Sequence, residues 1–386
     1  MVRIGEPLAS CAPPLPLIPI VVKVPRGRQP FEAACAHGDQ HQRPPRYGLA
    51  VPRVLTVDPV APEPSVIAEA AAVLARGGLV AFPTETVYGL GARGLHPDEV
   101  AKIFAAKGRP TGHPVILHVD GEDMARSLAA SWSPTASRLV NELWPGPLTL
   151  VVPRAARVPP EVSGGLDTVG IRAPEHPVAL ALIRAVGEPL AAPSANAHMH
   201  VSPTKAEHVV RSLEERVDLV LDGGPCTFGI ESTVLALDGD VPRVLRPGAV
   251  SLERLRAIEP RTTYENVTVE GDAARAAPGM AAKHYAPRTK VVLAEHGEGV
   301  AAAIAASSVD RSRIGAIVVT GAGRRAADGC SPLLALPEAP EAYARALFAA
   351  LHTVDAAGVD LLVIEKVPEE ASWWAVRDRL TRAARG

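Results

Sequence analysis

The stretch AAKGRP, residues 105–110, sets Lys107 and Arg109 two positions apart with a glycine between them. Cations held that closely repel unless an anion lies between them. Phosphate suits both, since arginine offers a planar fork and lysine a point charge. The plainer alternative is a solvated helix end, where cations favour the dipole. In APSAN (192–196), Ser194 and Asn196 take alternate positions as the chain leaves a strand, which puts both on one side. Small hydroxyl and amide groups there can bond phosphates or a ribose, or simply close a turn. GIESTV (229–234) and LRPG (245–248) are two more polar clusters beside loops, and Arg246 is a candidate third phosphate cation. Arg172 ends the apolar run of GIRAP, where a lone charge needs either a ligand carboxylate or an internal acid. His118 lies in the otherwise apolar VILHVD, either satisfied within a core or turned to a ligand.

One more stretch, FPTETVYGLG (82–91), presents Thr84, Glu85, Thr86 and Tyr88 straight after the apolar Leu79–Phe82. A plain turn does not require such an array of hydroxyls. The run is either a pocket wall or the cap of a neighbouring element. The chain has no GxxxxGK[ST] loop, GxGxxG fingerprint, HExxH or GxSxG elbow. What points to a ligand site is therefore convergence, several polar and cationic clusters at strand ends of one domain.

The bulk properties narrow the class. With 386 residues the chain is long enough for two or three domains. Forty basic and 42 acidic side chains leave a net charge of −2, which disfavours a protein whose main task is coating nucleic acid. Alanine carries much of the 47% hydrophobic content, and no apolar run is long enough to span a bilayer. Cys11, Cys35, Cys226 and Cys330 form no CxxC pair and read as free thiols of a reducing, cytoplasmic compartment.

The elements that must position these residues follow from periodicity and caps. Residues 1–50 hold proline and arginine clusters without sustained periodicity, and are expected to be a disordered extension. From Val54 the pattern is α/β. Helices are expected at 65–76 with Ser65 as cap, 96–108, 133–144, 176–187 and 202–213. Strands are expected at 79–82, 114–120, 147–153, 168–174, 217–224 and 232–239, with a strand running into a loop at 189–196, and VPRVLRPG (241–248) closes the unit. Several strands lack an intervening helix, so the sheet of this 54–250 domain should be mixed and twisted. Residues 251–288 read as an interdomain linker. Over 289–386, strands at 290–295, 314–320 and 359–367 alternate with helices near 297–307 and 340–358. That alternation predicts a small Rossmann-like three-layer α/β domain with a parallel sheet.

Taken in order, FPTETVYGLG, KIFAAKGRP, HPVILHV, WPGPLTLVV, GLDTVGIRAPEHPVALALI, LAAPSAN, SPTKAEHV, GIESTV and VLRPG resemble the YrdC-like family, in its long two-domain threonylcarbamoyl-adenylate-forming type. APGMAAKHYAPRT resembles that type's linker. The resemblance implies that L-threonine, bicarbonate and ATP give L-threonylcarbamoyl-AMP and pyrophosphate. The product would feed tRNA threonylcarbamoyladenosine formation at position 37 through a downstream transfer machinery, with at most a weak contact to tRNA or other RNA and none to membrane. It further implies that Lys107, Arg109, His113, Thr168, Ser194, Asn196, Ser202, Arg246 and Tyr285 contact ATP, with Lys107 and Arg109 as the catalytic cations. Thr86, His118, Arg172, Ala192 and Ser232 would line the threonine pocket, and the glycines of FPTETVYGLG would let the backbone turn away beneath it. Mg2+ would arrive bound to the nucleotide, with no protein side chain as its ligand. AHMH (197–200) replaces the family's usual turn after Asn196. The rival readings are carbamoyl transfer to another acceptor and a non-catalytic RNA-binding or ribosome-assembly role.

Overall fold

The computed structural model describes residues 52–264 and 284–385; the expected extension over 1–50 and the middle of the expected linker lie outside them. Eleven strands make one sheet: β1 (Arg53–Thr56), β2 (Val80–Phe82), β3 (Gly89–Arg93), β4 (Ile116–His118), β5 (Leu148–Pro153), β6 (Thr168–Arg172), β7 (Leu190–Ala191), β8 (Leu219–Asp222), β9 (Thr233–Ala236), β10 (Arg243–Arg246) and β11 (Thr263–Tyr264). Their spatial order is β1-β8-β2-β3-β7-β4-β6-β5-β9-β10-β11. Parallel pairs such as β4/β6 alternate with antiparallel ones such as β5/β6, so the sheet is mixed, as the missing crossovers require.

The connecting helices are α1 (Pro64–Ala75), α2 (Pro97–Lys107), α3 (Glu122–Arg126), α4 (Pro134–Leu143), α5 (Pro160–Ser163), α6 (Pro177–Val186), α7 (Ala206–Leu213) and α8 (Leu252–Ile258). Strand alternation decides which face each helix covers. Val80, Phe82, Leu219 and Leu221 point to the side where α1 brings Ile67 and Leu74 and α6 brings Leu182 and Ile183. Ala81, Leu90 and Val220 point the other way, toward Ile103 of α2, Leu139 of α4 and Val209 of α7. Each such buried Val, Leu, Ile or Phe side chain contributes about 1.5–3 kcal/mol. Pro97, Asp98 and Glu99 open α2, and Gly108 closes it at φ 62°.

Four expectations are corrected. Ser65 lies inside the first turn of α1, and Glu63 is the residue that precedes the helix. Helix α7 starts at Ala206, not at 202, because the carbonyls of Pro203 and Thr204 accept from Tyr88 and Cys226 at 2.9 and 3.0 Å and cannot start a helical ladder. Residues 251–264 are ordered: Ser251 caps α8 by accepting from Arg254, and β11 pairs with β10. Finally, Gly89 and Gly91 do not turn the chain. They run within β3, antiparallel to β2, and the Phe82 ring occupies the space beside them. A Cβ on Gly91 would lie 2.7 Å from that ring.

A second sheet holds β12 (Lys290–Ala294), β13 (Ile314–Val318), β14 (Leu333–Ala335) and β15 (Leu361–Glu365) in the order β12-β15-β13-β14, all parallel. Helices α9 (Glu298–Ala305), α10 (Gly321–Ala326), α11 (Pro340–Ala357) and α12 (Trp374–Ala383) accompany it. Val300 and Ile304 of α9 pack on one face with Ala316, Val318 and Val363. Phe348 and Leu351 of α11 and Val376 and Leu380 of α12 pack on the other with Ile317, Leu362 and Ile364. This is the expected three-layer arrangement. The second cluster also takes in Val87, Val201 and Ile230 from the first sheet's loops, so the two sheets share one core.

Candidate functional site

A pocket forms where the β2–β3 connection, the ends of β4, β6 and β10, and the loop after β7 meet residues 284–285. Thr86, His118, Arg172, Ala192 and Ser232, the whole expected threonine group, line it. Arg109, Ser194, Arg246 and Tyr285 of the expected ATP group line it too.

Register explains the first group. Strands β4 and β6 run parallel with His118 opposite Arg172, so both reach the pocket from adjacent strand ends. The Arg172 guanidinium donates to Thr86 Oγ1 at 2.9 Å and to the Gly146 carbonyl at 3.2 Å. Its Nη2 also lies 2.6 Å from Glu85 Oε1, an ion pair without hydrogen-bond geometry. The internal acid left open by the sequence is therefore Glu85. Thr84 Oγ1 donates to the Val87 carbonyl at 2.6 Å and sits 2.9 Å from Thr86 Oγ1. The threonine hydroxyls of FPTETVYGLG thus fold back on their own turn while facing the pocket, whereas the Tyr88 hydroxyl turns away and donates to the Gly224 carbonyl at 2.7 Å. Burial, reinforced by Arg172, pushes His118 down to about 3, so the ring is neutral at ordinary pH.

The opposite wall is cationic. Arg246 donates to the Ser232 carbonyl at 2.9 Å and to its hydroxyl at 3.1 Å; that hydroxyl meets Thr149 Oγ1 at 2.8 Å. Arg109 donates to the Pro114 carbonyl at 2.8 Å. Burial, with Arg109, His198, Lys107 and Arg246 around it, holds His284 well below its ordinary value. Tyr285 adopts φ 60°, is 1% exposed, and its hydroxyl has no hydrogen-bond partner among the described residues.

Five expected residues do not line the pocket. Lys107 is buried, and its ammonium donates to the carbonyls of Ser194 and Asn196, so it braces the loop that carries Ser194. Burial and the nearby Arg109 and Arg216 push its proton affinity well down. Asn196 does not share Ser194's side, because the strand stops at Ala191 and alternation ends with it. Its amide instead donates to the carbonyls of Ala197 and His200 at 2.8 and 2.9 Å, closing the AHMH loop. Ser202 donates to Glu231 Oε1 at 2.5 Å. His113 packs near the His198 ring at 5.6 Å. Thr168 stands at the far end of β6 from Arg172.

Glu231 and His284 also line the pocket, and the residue reading passed over both. Glu231 was visible inside GIESTV as an acid between an apolar residue and a serine, and His284 stands beside Tyr285 in KHYAP. Arg379, described below, had no local signal.

Guanidinium groups from three separate segments and a set of hydroxyls, gathered at strand ends of an α/β fold, form a pocket whose chemistry suits a small anionic ligand. The comparisons narrow this. A family model described as telomere recombination, of the Sua5/YciO/YrdC type, matches residues 72–248. A second, described as the C-terminal domain of threonylcarbamoyl-AMP synthase, matches 250–385. The threonylcarbamoyl-AMP synthase of Bacillus subtilis is 39% identical over 326 residues, covering 83% of this chain and 93% of its own length. That of Pyrococcus abyssi is 40% identical, covering 82% and 93%. The crystal structure of P. abyssi Sua5 complexed with L-threonine superposes with a TM-score of 0.79 at 36% identity, over 86% of this chain and 97% of that one. The chain belongs to the threonylcarbamoyl-AMP synthase family, in its two-domain Sua5 form. Among the described residues, no helix is long and apolar enough to cross a membrane.

Proposed function

We propose that this chain condenses L-threonine, bicarbonate and ATP to L-threonylcarbamoyl-AMP, releasing pyrophosphate and water, and so supplies tRNA threonylcarbamoyladenosine synthesis. The observation that carries the reading is the convergence of Arg109, Arg172 and Arg246 with the hydroxyls of Thr86, Ser194 and Ser232 on one pocket. The reaction brings two anions together, because the carboxylate of N-carboxythreonine must reach the α-phosphate of ATP. Fixed cations at that point lower the barrier electrostatically and by orientation, with no protein nucleophile required.

In this reading the Thr86–Arg172–His118 side holds threonine. Arg172, anchored by Glu85, Thr86 and Gly146, turns its remaining N–H donors to the amino acid's carboxylate, and neutral His118 adds no competing charge. The Arg246–Tyr285–Ser194 side, with Arg109, holds the nucleotide. Lys107 serves both by fixing the Ser194 loop from behind. Glu85 is committed to Arg172 and Glu231 to Ser202 and Arg379, so neither carboxylate is a spare metal ligand. Magnesium then enters as part of the nucleotide, where it would share the charge on the phosphates. The protein acts in the cytoplasm and passes its labile product to a tRNA-transferring partner.

Pyrophosphate release measured with ATP, threonine and bicarbonate tests this. Release that requires all three, with threonylcarbamoyl-AMP detected by mass, is expected. ATP turnover indifferent to threonine would sink the assignment.

A further inference from the structure

Arg379 is the largest fully buried side chain of the described residues, yet it comes from the last helix, far from the pocket in sequence. Its guanidinium is fully committed. Nε donates to Glu231 Oε2 at 2.8 Å, Nη2 to the Pro247 carbonyl at 3.0 Å and Nη1 to Asp378 Oδ2 at 2.6 Å. Its carbon centre stands 4.7 Å from the middle of the Tyr285 ring. Three of these contacts fall on segments of the pocket wall. Glu231 and Tyr285 line the pocket themselves, and Pro247 directly follows Arg246.

The arrangement around Tyr285 explains why such a residue is needed. A non-glycine residue at φ 60° persists only where its surroundings over-determine it. Here Arg379 of α12 covers the ring, and Phe348 of α11 stacks on it at 5.8 Å and 26°. The ring is pinned by side chains of α11 and α12, while Tyr285 lines the pocket and its hydroxyl has no hydrogen-bond partner among the described residues. Glu231 is fixed in the same way, between Arg379 and the Ser202 hydroxyl. A buried carboxylate and a buried guanidinium each cost several kcal/mol to desolvate alone, so each holds the other in place.

We infer that Arg379 is a positioning residue for the nucleotide half of the pocket, through which the C-terminal domain sets the geometry of Tyr285, Glu231 and Arg246. The inference rests on the proposed function for the identity of the nucleotide, and on geometry alone for the coupling. The C-terminal domain is then a working part of the site. Arg379 reaches the Thr86–Arg172 side, which is anchored by Glu85, only indirectly through Arg246 and Ser232, so its influence falls first on the nucleotide half.

Titration calorimetry with a non-hydrolysable ATP analogue, and separately with threonine, tests the inference without relying on turnover. Arg379→Met keeps the bulk and removes the charge and the bonds. It is expected to weaken analogue binding by at least about tenfold, the scale of one desolvated cation–π contact, and to leave threonine binding within about twofold. Because Glu231 is left buried with the Ser202 hydroxyl but without its guanidinium partner, the single variant loses stability. The double variant Arg379→Met with Glu231→Gln removes that burden and is expected to recover the melting temperature but not the analogue affinity. Full affinity in the double variant, or equal losses for analogue and threonine, would reduce Arg379 to a stabilising residue and overturn the inference. A wild type that binds the analogue yet releases no pyrophosphate removes the enzymatic reading and leaves this one intact.

Discussion

The two sheets handle polar groups at their strand ends in opposite ways. Ligands of open parallel sheets bind at the carboxyl ends of the strands, so the crevice beyond β12, β13 and β15 is where a Rossmann-like domain would hold an anion. In this chain a side chain already fills it. Glu365 ends β15, is fully buried, and accepts from the Val319 and Thr320 amides at 2.7 and 2.9 Å and from the Thr320 hydroxyl at 2.5 Å. Gly297 and His296 approach the oxygen that accepts from the Thr320 hydroxyl, while the two amides share the other. A Cβ on Gly323 would collide with this carboxylate, so the glycine serves an internal anion. The mixed sheet does the reverse. Around its pocket, His118 Nδ1, His284 Nδ1 and the Tyr285 hydroxyl have no hydrogen-bond partner among the described residues. Buried polar atoms without partners are costly and rare, and these three belong to residues that line the pocket, although the Tyr343 hydroxyl in the second domain, near Glu365, also lacks one. An α/β layout alone is thus no guide to which strand ends stay open.

The largest effect should come from Lys107. Losing it frees the carbonyls of Ser194 and Asn196 and loosens the loop carrying Ser194. Lys107→Ala is therefore expected to slow adenylate formation by about 100-fold or more. Near-normal turnover would mean that the pocket does not depend on this brace.

Next comes Arg172. Arg172→Lys keeps the charge opposite Glu85 but loses the fork. The threonine KM should rise by roughly 30-fold, about 2 kcal/mol, while the ATP KM holds. Equal shifts in both would place Arg172 in the scaffold.

The Glu365 crevice sharpens the contrast from the other side. Glu365→Gln weakens charge-assisted bonds and should cost about 1–3 kcal/mol of stability without changing substrate KM values. Burial opposes the charge of Glu365, but bonds from Thr320, Val319 and His296 outweigh it and hold the carboxyl below its ordinary value. Its contribution is complete above that ordinary value and is lost as acid protonates it in the folded protein. A raised KM would show that this crevice communicates with the pocket.

The smallest effect concerns His118. With a folded value of about 3 against an ordinary 6.5, it stays neutral while the unfolded chain takes up a proton. Stability should therefore fall as pH drops below about 6.5, by about 2 kcal/mol at pH 5 for this one group. His118→Gln should flatten that part of the melting-temperature profile. An unchanged slope would mean that the ring is not buried neutral.

Much of this was legible in the sequence where the signal is local. The apolar runs of β4, β5 and β8 and the proline start and glycine stop of α2 mark themselves. The site clusters were legible too, since hydroxyls and arginines beside strand ends are unusual neighbours. Elements with little local pattern were not. Strand β3 carries two glycines because it packs on Phe82, and α8 and β11 are too short for a period to register. Asn196 was misjudged because alternation was extended past the end of its strand. Arg379 lies 148 positions from Glu231, and nothing in its own helix announces that partner.

The shared core sets an order of events during synthesis. Val87, Val201 and Ile230 emerge from the ribosome before the side chains that cover them, Tyr343 to Leu380. Until then the nascent chain carries an uncovered apolar patch beside a half-built pocket. Because Arg379 follows Glu231 by 148 positions, the Arg246–Tyr285 wall of the pocket is completed well after the Thr86–Arg172 wall. A ribosome stalled between the two would hold a chain with one wall of its pocket and no finished partner for it.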